Sequence, residues 1–250
     1  MPRQKGPLKW DGSLGDVTYY KGKDGYLIKE KTDLGKKVKN DPKFQRTREN
    51  GAEFGRAGKA GKLLRTTFRL ILLKTSDGRM VSRLTQKMVE VLKADPVSDR
   101  GLRNVTKGDV LLLKGFEFNI NSNLSTTLFA NHVAVIDRAT GQVTVSLPAF
   151  VPRKLVASPD GATHFKIVSG AAAINFESGN TVADLKDTGF LPVNNDPTAD
   201  ISLQYALTPN STDPIFVLLG IEFCQVINGK QYAMNSGAFN AAAIIDTSAN

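Results

Sequence analysis

The sequence predicts an α+β chain: a basic N-terminal arm with a β-hairpin, then a helical hairpin, then an antiparallel β-sandwich, Ig-like or jelly-roll-like. Three observations predict it. Apolar residues recur with helical spacing between residues 40 and 94, and short β-prone runs separated by turn residues fill the chain from Asp109 onward. The charge divides at the same place: residues 1–107 carry 26 Lys+Arg against 12 Asp+Glu, a balance of +14, and residues 108–250 carry 7 against 12, a balance of −5. At 250 residues the chain has room for one large domain or two small ones.

Residues 1–39 read as the arm. Asp16-Val-Thr-Tyr-Tyr20 and Tyr26-Leu-Ile-Lys-Glu30 are β-prone, and Gly22-Lys-Asp-Gly25 between them is a turn signal. An isolated hairpin is marginal in water, so this one is expected to dock on its own domain or on a partner. Trp10, the only tryptophan, is the natural anchor, with Tyr19, Tyr20 and Tyr26 beside it.

Residues 40–94 read as the helical hairpin. Asn40-Asp41-Pro42 offers a cap followed by a first-turn proline. Leu64, Phe68, Ile71 and Leu72 fall on one helical face; Thr75-Ser-Asp-Gly78 breaks the pattern; Val81, Leu84, Met88, Val91 and Leu92 form a second face. The short turn implies antiparallel neighbours. Residues 95–108 are a polar linker, where the two halves are expected to part.

Residues 109–250 read as the sandwich. The strand candidates are Leu111–Leu113, Phe116–Ile120, His132–Ile136, Gln142–Leu147, His164–Val168, Ala172–Phe176, Ile201–Leu207, Pro214–Val226, Gln231–Met234 and Ala238–Ile245. Turns stand at Arg138–Gly141, Ser158–Gly161, Ser178–Asn180 and Asn228-Gly229, and the Asn-Gly pair marks the hairpin from Pro214 to Met234.

Several segments together resemble a family of uncharacterised proteins from Bacteroidetes-type bacteria. They are Gly15–Tyr26, Asn40–Gly51, Glu53–Arg65, Ser82–Lys87, Lys114–Asn119 and Gln231–Asn240. The resemblance covers nearly the whole chain and is looser from about residue 120 to 215. No activity is assigned to that family, so it implies no catalytic residue; it implies a bacterial, cytoplasmic protein.

Composition excludes several function classes. One cysteine, Cys224, rules out an internal disulfide framework, and one Cys with two His cannot form a usual structural zinc site. No Gly-x-Ser-x-Gly elbow occurs, and His132 and His164 lie in β-prone runs. Gly-Arg-Ala-Gly-Lys-Ala-Gly-Lys62 only imitates a Walker A loop. The loop Asn194–Asp200 offers oxygen ligands of the kind calcium accepts, at a spacing unlike an EF-hand. No enzyme, cofactor or metal is expected. No apolar leader follows the first charges, and no run approaches the ~20 residues that span a bilayer. The expected location is cytoplasmic, with export by a route that reads no N-terminal signal, or a virion-like particle, left open.

The basic helix is the strongest functional signal. Arg56, Lys59, Lys62, Arg65 and Arg69 recur every three or four residues and are expected to meet an acidic partner or nucleic acid. Gly51, Gly55 and Gly58 are spaced to let another backbone approach closely. These features predict a self-assembling structural protein, a shell, tube or filament subunit that partners itself. Nucleic-acid binding through the basic half is the alternative, and a ligand-binding β-sandwich is a third.

Overall fold

A computed structural model describes residues 3–31 and 34–249 and shows an α+β fold with antiparallel, sandwich-like sheets and a helical-hairpin-like region. The chain divides into two compact units, Met1–Asn50 and Gly51–Asn250.

The first unit is built on strands β1 (Gly12–Leu14), β2 (Val17–Gly22) and β3 (Gly25–Glu30), in the order β1-β2-β3. The expected hairpin is present: Gly22 pairs with Gly25, so Lys23-Asp24 is a two-residue turn, and Gly25 takes a positive φ of 98° that its missing Cβ permits. The third strand, β1, comes from Gly12-Ser-Leu14, too short to carry a period. Residues 34–39, expected as the end of the basic arm, belong to helix α1 (Leu34–Asn40). The Asp41 carboxylate then caps a short 3-10 turn, accepting from the Lys43 amide at 3.0 Å.

Helix α2 (Gln45–Thr67) runs on to a break at Phe68, whose backbone leaves the helical region at φ −97°, ψ 22°; α3 (Arg69–Thr75) and α4 (Met80–Lys93) follow. The period-3.6 residues Leu64, Phe68, Ile71, Leu72, Leu84, Met88, Val91 and Leu92 are all buried, as their spacing requires. Val81, placed with that stripe by sequence, is exposed.

The larger sheet is centred on β10 (Ile215–Ile227), which pairs on one side with β6 (His164–Ile174) and on the other with β11 (Lys230–Ala233) and β12 (Ala241–Ser248); β7 (Thr181–Asp187) and the short β8 (Leu191–Pro192) pair with β6. A smaller sheet has the order β4 (Val133–Asp137), β5 (Gln142–Leu147), β9 (Ile201–Ala206). Short helical turns α5 (Leu124–Thr127) and α6 (Pro152–Leu155) lie in the connections.

Alternation along the large sheet separates two cores. Phe165, Ile167, Ala171 and Ala173 of β6, with Ile215, Val217, Leu219, Ile221 and Phe223 of β10, pack with Val143, Val145, Leu203 and Tyr205 of the small sheet. The intervening residues Val168, Ala172, Ile174, Phe216 and Leu218 pack with Leu64, Phe68, Ile71, Leu84 and Met88 of the helices. The sheet is buried on both faces, which is why its strands read as unbroken apolar runs. The helices and the sandwich therefore share a core, and the expected parting at 95–108 is corrected: the division lies after Asn50. Val105 of that stretch is buried in the shared core, and the buried Asp95 carboxylate accepts from the amides of Val97, Ser98 and Asn104 at 2.9, 3.0 and 3.2 Å.

Other strand expectations change for local reasons. His164–Val168 and Ala172–Phe176 are one strand: Ser169 donates its hydroxyl to the Leu218 carbonyl at 2.6 Å, and a Cβ on Gly170 would lie 2.2 Å from Leu185 Cδ2. A polar residue and a glycine inside the run are the requirements of a buried strand, not a turn. Leu111–Leu113 is a 3-10 turn capped by Asp109. Phe116–Ile120 forms no regular strand; Gly115, Phe116 and Phe118 exchange backbone bonds with Ile244 and Ala242 and so cover the outer edge of β12.

Candidate functional site

Among the described residues of the first unit only Leu27 is buried. Leu8, Trp10 and Leu14 expose 73%, 63% and 70% of their surface. Trp10 is held by its backbone: its amide donates to Gln4 Oε1 at 2.8 Å, and Gln4 Nε2 donates to its carbonyl at 3.1 Å, leaving the indole presented outward. Cross-strand pairing puts Tyr19, Lys21, Tyr26 and Ile28 on one face of the sheet and Tyr20, Leu27 and Lys29 on the other. Lys21 sits 5.7 Å from the Tyr26 ring centre and Lys29 5.3 Å from that of Tyr20. The three tyrosines are half-buried and divided between the two faces.

The basic residues of α2 and α3 separate into two groups. Arg56 turns toward the loop that follows α4. It donates through Nε to the Arg103 carbonyl at 2.7 Å and through Nη2 to the Gly101 carbonyl, while the buried Glu53 accepts from the Gly101 amide at 2.8 Å. Glu53 and Arg56, one turn apart, thus clasp that loop. The guanidinium of Arg56, expected to meet an acidic partner or nucleic acid, here satisfies the backbone carbonyls of this clasp.

Lys59, Lys62, Arg65 and Arg69 make no ion pair or hydrogen bond among the described residues. Residues 54–76 contain no Asp or Glu, so no (i, i+3) or (i, i+4) ion pair is possible along that face. Grooves flank the ridge. One of about 330 Å³ is lined by Arg65, Thr66, Arg69, Leu72, Ser76 and Met80. Another, also about 330 Å³, is lined by Lys59, Lys62, Leu63, Phe176, Glu177 and Ser178, among others.

The glycines also divide. A Cβ built on Gly51, Gly55 or Gly58 meets nothing within 4 Å, whereas one on Gly61 would touch Leu84 and Met88 at 3.7–3.8 Å. Close packing of α2 within the subunit is therefore made by Ala57, Ala60, Gly61 and Leu64, and the three glycines picked out by spacing face open space. Gly61 lies outside the i, i+4, i+7 series; its signal is its place one turn before Leu64 on the apolar face.

Two arginines that sequence reasoning passed over tie distant segments together. Arg83 donates to the carbonyls of Glu117 and Phe118 at 2.6 and 3.2 Å and pairs with Asp77. Burial pushes the Asp77 carboxyl up, but amide bonds from Ile120 and Arg79 and the Arg83 guanidinium outweigh it and hold Asp77 below the ordinary range. Arg138, on the β4–β5 turn, donates to the carbonyls of Ser211, Asp213 and Ser248 at 2.7, 3.1 and 2.6 Å. No local pattern marks these residues, because the carbonyls they hold lie 34 to 110 positions away.

Cys224 is buried, and burial pushes its thiol up from the ordinary value. His132 Nδ1 lies 3.2 Å from the Ala130 carbonyl, and His164 Nδ1 lies 2.9 Å from the Thr163 hydroxyl. In the 194–200 loop, Asn194 donates to Asp196 at 2.8 Å and Asp200 accepts from the Ala149 amide at 2.7 Å, so its two carboxylates serve separate turns. Among the described residues no three His, Cys, Asp or Glu side chains gather as a metal site, and no helix is long and apolar enough to cross a membrane.

Comparison with known proteins returned no matching family model, no matching curated protein and no matching solved structure.

Proposed function

We propose that this chain is a non-enzymatic subunit that assembles with copies of itself into a shell, tube or filament, its first fifty residues acting as a strap onto a neighbour. The observation that carries the reading is the first unit: a formed three-stranded sheet with a single buried side chain, Leu27, and exposed Leu8, Trp10 and Leu14. A sheet of this size needs a surface to cover it. Charge supports the same reading. Residues 1–39 carry 10 Lys+Arg against 5 Asp+Glu, while residues 108–250 are net −5, so copies attract basic part to acidic part. Light scattering after size exclusion, at low and high salt, tests it: the expected result is a multimer at low salt that loses mass as salt screens the charges. A single-chain mass at every concentration and salt overturns it.

A second reading has its own observation. The unpaired ridge Lys59, Lys62, Arg65, Arg69 keeps like charges three and four residues apart, each such pair costing a helix about 0.2–0.5 kcal/mol. A phosphate-bearing partner would remove that cost, which favours nucleic acid as a ligand of the basic half. A gel shift with a single-stranded oligonucleotide should weaken steeply with salt and be lost in Lys62→Glu/Arg65→Glu. A shift that this variant leaves unchanged removes the ridge from the reading. The two readings join if the assembly coats nucleic acid.

A further inference from the structure

Two of the grooves beside α2 adjoin. The groove that runs past Lys62, Thr66 and Ser178 shares Lys59, Ala60, Phe176 and Glu177 with one of about 380 Å³ that runs past Asn104 and Thr106. Phe176 stands at their junction, in the turn that follows β6. Asn175 fixes that turn: its Oδ1 accepts from the amides of Glu177 and Ser178 at 3.0 and 2.8 Å, and its Nδ2 donates to Asp213 at 2.8 Å. Part of the Phe176 ring packs on Phe216, with centroids 5.9 Å apart and planes at 82°. The residue is only half-buried, and the rest of its surface lines the two grooves. An aromatic ring held this way in a groove wall is a platform for another flat ring.

The charge beside it is of one sign. Residues 54–76 carry six Lys+Arg and no Asp or Glu. Among the described residues that line these two grooves, Glu177 alone carries a carboxylate. Lys59 and Lys62 border the junction, and Arg65 continues their row along α2, one cation for each rise of about 4.5 Å.

A chain of phosphates alone would need only the ridge. A ring platform set beside the cations suits a flat aromatic group joined to phosphate, which is a nucleotide of an unpaired strand. In a duplex the bases are stacked and turned inward, and none can reach a half-buried ring in a groove wall. Asn104, Thr106 and Ser178 stand near enough to the ring to hydrogen-bond a base edge or a sugar.

We infer that a single-stranded nucleic acid lies along α2, its phosphates on Lys59, Lys62, Arg65 and Arg69 and one base stacked on Phe176. This rests on the nucleic-acid reading of the ridge, and it adds a strandedness and a base contact that the ridge alone does not supply.

Fluorescence anisotropy of the full chain tests it with four probes: labelled oligothymidine, an abasic strand of the same length, the oligothymidine paired with its complement, and thymidine monophosphate as competitor. Four phosphate contacts on a single strand give log K against log salt a slope of about −3, a loss of about fifty-fold between about 50 and 200 mM salt. Loss of one stacked base weakens binding by about 5- to 150-fold. The abasic strand, and oligothymidine with Phe176→Leu, should each show that loss at an unchanged salt slope, and Phe176→Leu should no longer distinguish the two strands. Lys62→Ala should reduce the slope by about 0.7 and keep the distinction. The duplex should bind more weakly than the single strand. An abasic strand bound as tightly as oligothymidine, a Phe176→Leu protein that binds like the unmodified chain, or a duplex bound as tightly as the single strand overturns the base contact and leaves the ridge reading standing. A monophosphate that displaces the strand at equal concentration assigns the groove to free nucleotides and overturns the strand. No salt-sensitive binding of any strand overturns both readings. Should Phe176→Leu fail to fold, the abasic strand on the unmodified chain decides.

Discussion

Replacing Gly55 and Gly58 by alanine should stabilise the monomeric protein, against the usual expectation for glycines in a regular series. Both lie inside α2, and a Cβ at either position meets nothing within 4 Å. A helix-interior glycine costs about 0.8–1 kcal/mol relative to alanine, through backbone entropy. With no clash to offset that gain, the double variant should gain about 1.5–2 kcal/mol. For a unit of this size 1 kcal/mol moves the melting temperature by about 2–4 °C, so the rise should be about 3–8 °C. Gly61→Leu should act oppositely. There the first added carbon already touches Leu84 and Met88 at 3.7–3.8 Å, and three further carbons must enter a filled core, at about 1–3 kcal/mol. Thermal and urea unfolding of the three proteins, at a concentration where all are monomeric, decides the matter. A double variant less stable than the unmodified chain would mean that the open face of α2 is covered in solution, and the reasoning from free space would fail.

Asp95 should give the protein an acid-sensitive step. Burial works against its charge, but the amides of Ser98, Val97 and Asn104 hold its carboxyl down to about 2, below its ordinary 3.8. A depressed folded-state value means the contribution is complete above about pH 4 and is lost as pH falls toward 2. Asp95→Asn should cost about 1–2 kcal/mol at pH 7 and flatten urea stability between pH 4 and 2; an unchanged slope there would refute the assignment. Arg56→Lys should lose the forked donation to Gly101 and Arg103, costing about 1–2 kcal/mol and raising amide exchange at residues 101–103, whereas Lys59→Ala should change neither. Deleting residues 1–39 should leave the circular dichroism of the remaining chain folded and abolish assembly; an unfolded or insoluble product would show that this segment belongs to the chain's own core.

Local chemistry wrote much of this fold legibly. The Gly22–Gly25 turn sets the first hairpin, and Asn228-Gly229, with φ of 50° and 75°, sets the β10–β11 hairpin, because few other residue pairs accept two left-handed positions in succession. Gln142–Leu147 has the bounds read from sequence, and the helical stripes are buried as their period demands. β7 escaped notice because Thr-Val-Ala-Asp-Leu-Lys-Asp has the composition of an exposed segment; it is a strand because β6 offers an edge to pair with.

What the sequence determined by itself was each element whose cause lies within a few residues: the turns, the helix periods, the apolar strands and the unbalanced charge. Which faces meet was decided only in three dimensions. The large sheet is covered by helices as well as by the small sheet, so the helical half and the strand half share a core despite their opposite charge. Arg56 is committed to a loop 45 to 47 residues away while Lys59, Lys62, Arg65 and Arg69 stay open, though all five share one spacing. The physical reason is the same in each case: periodicity says which side chains share a face, but burial and hydrogen-bond satisfaction depend on the surface that face meets, and that surface is supplied by residues far along the chain.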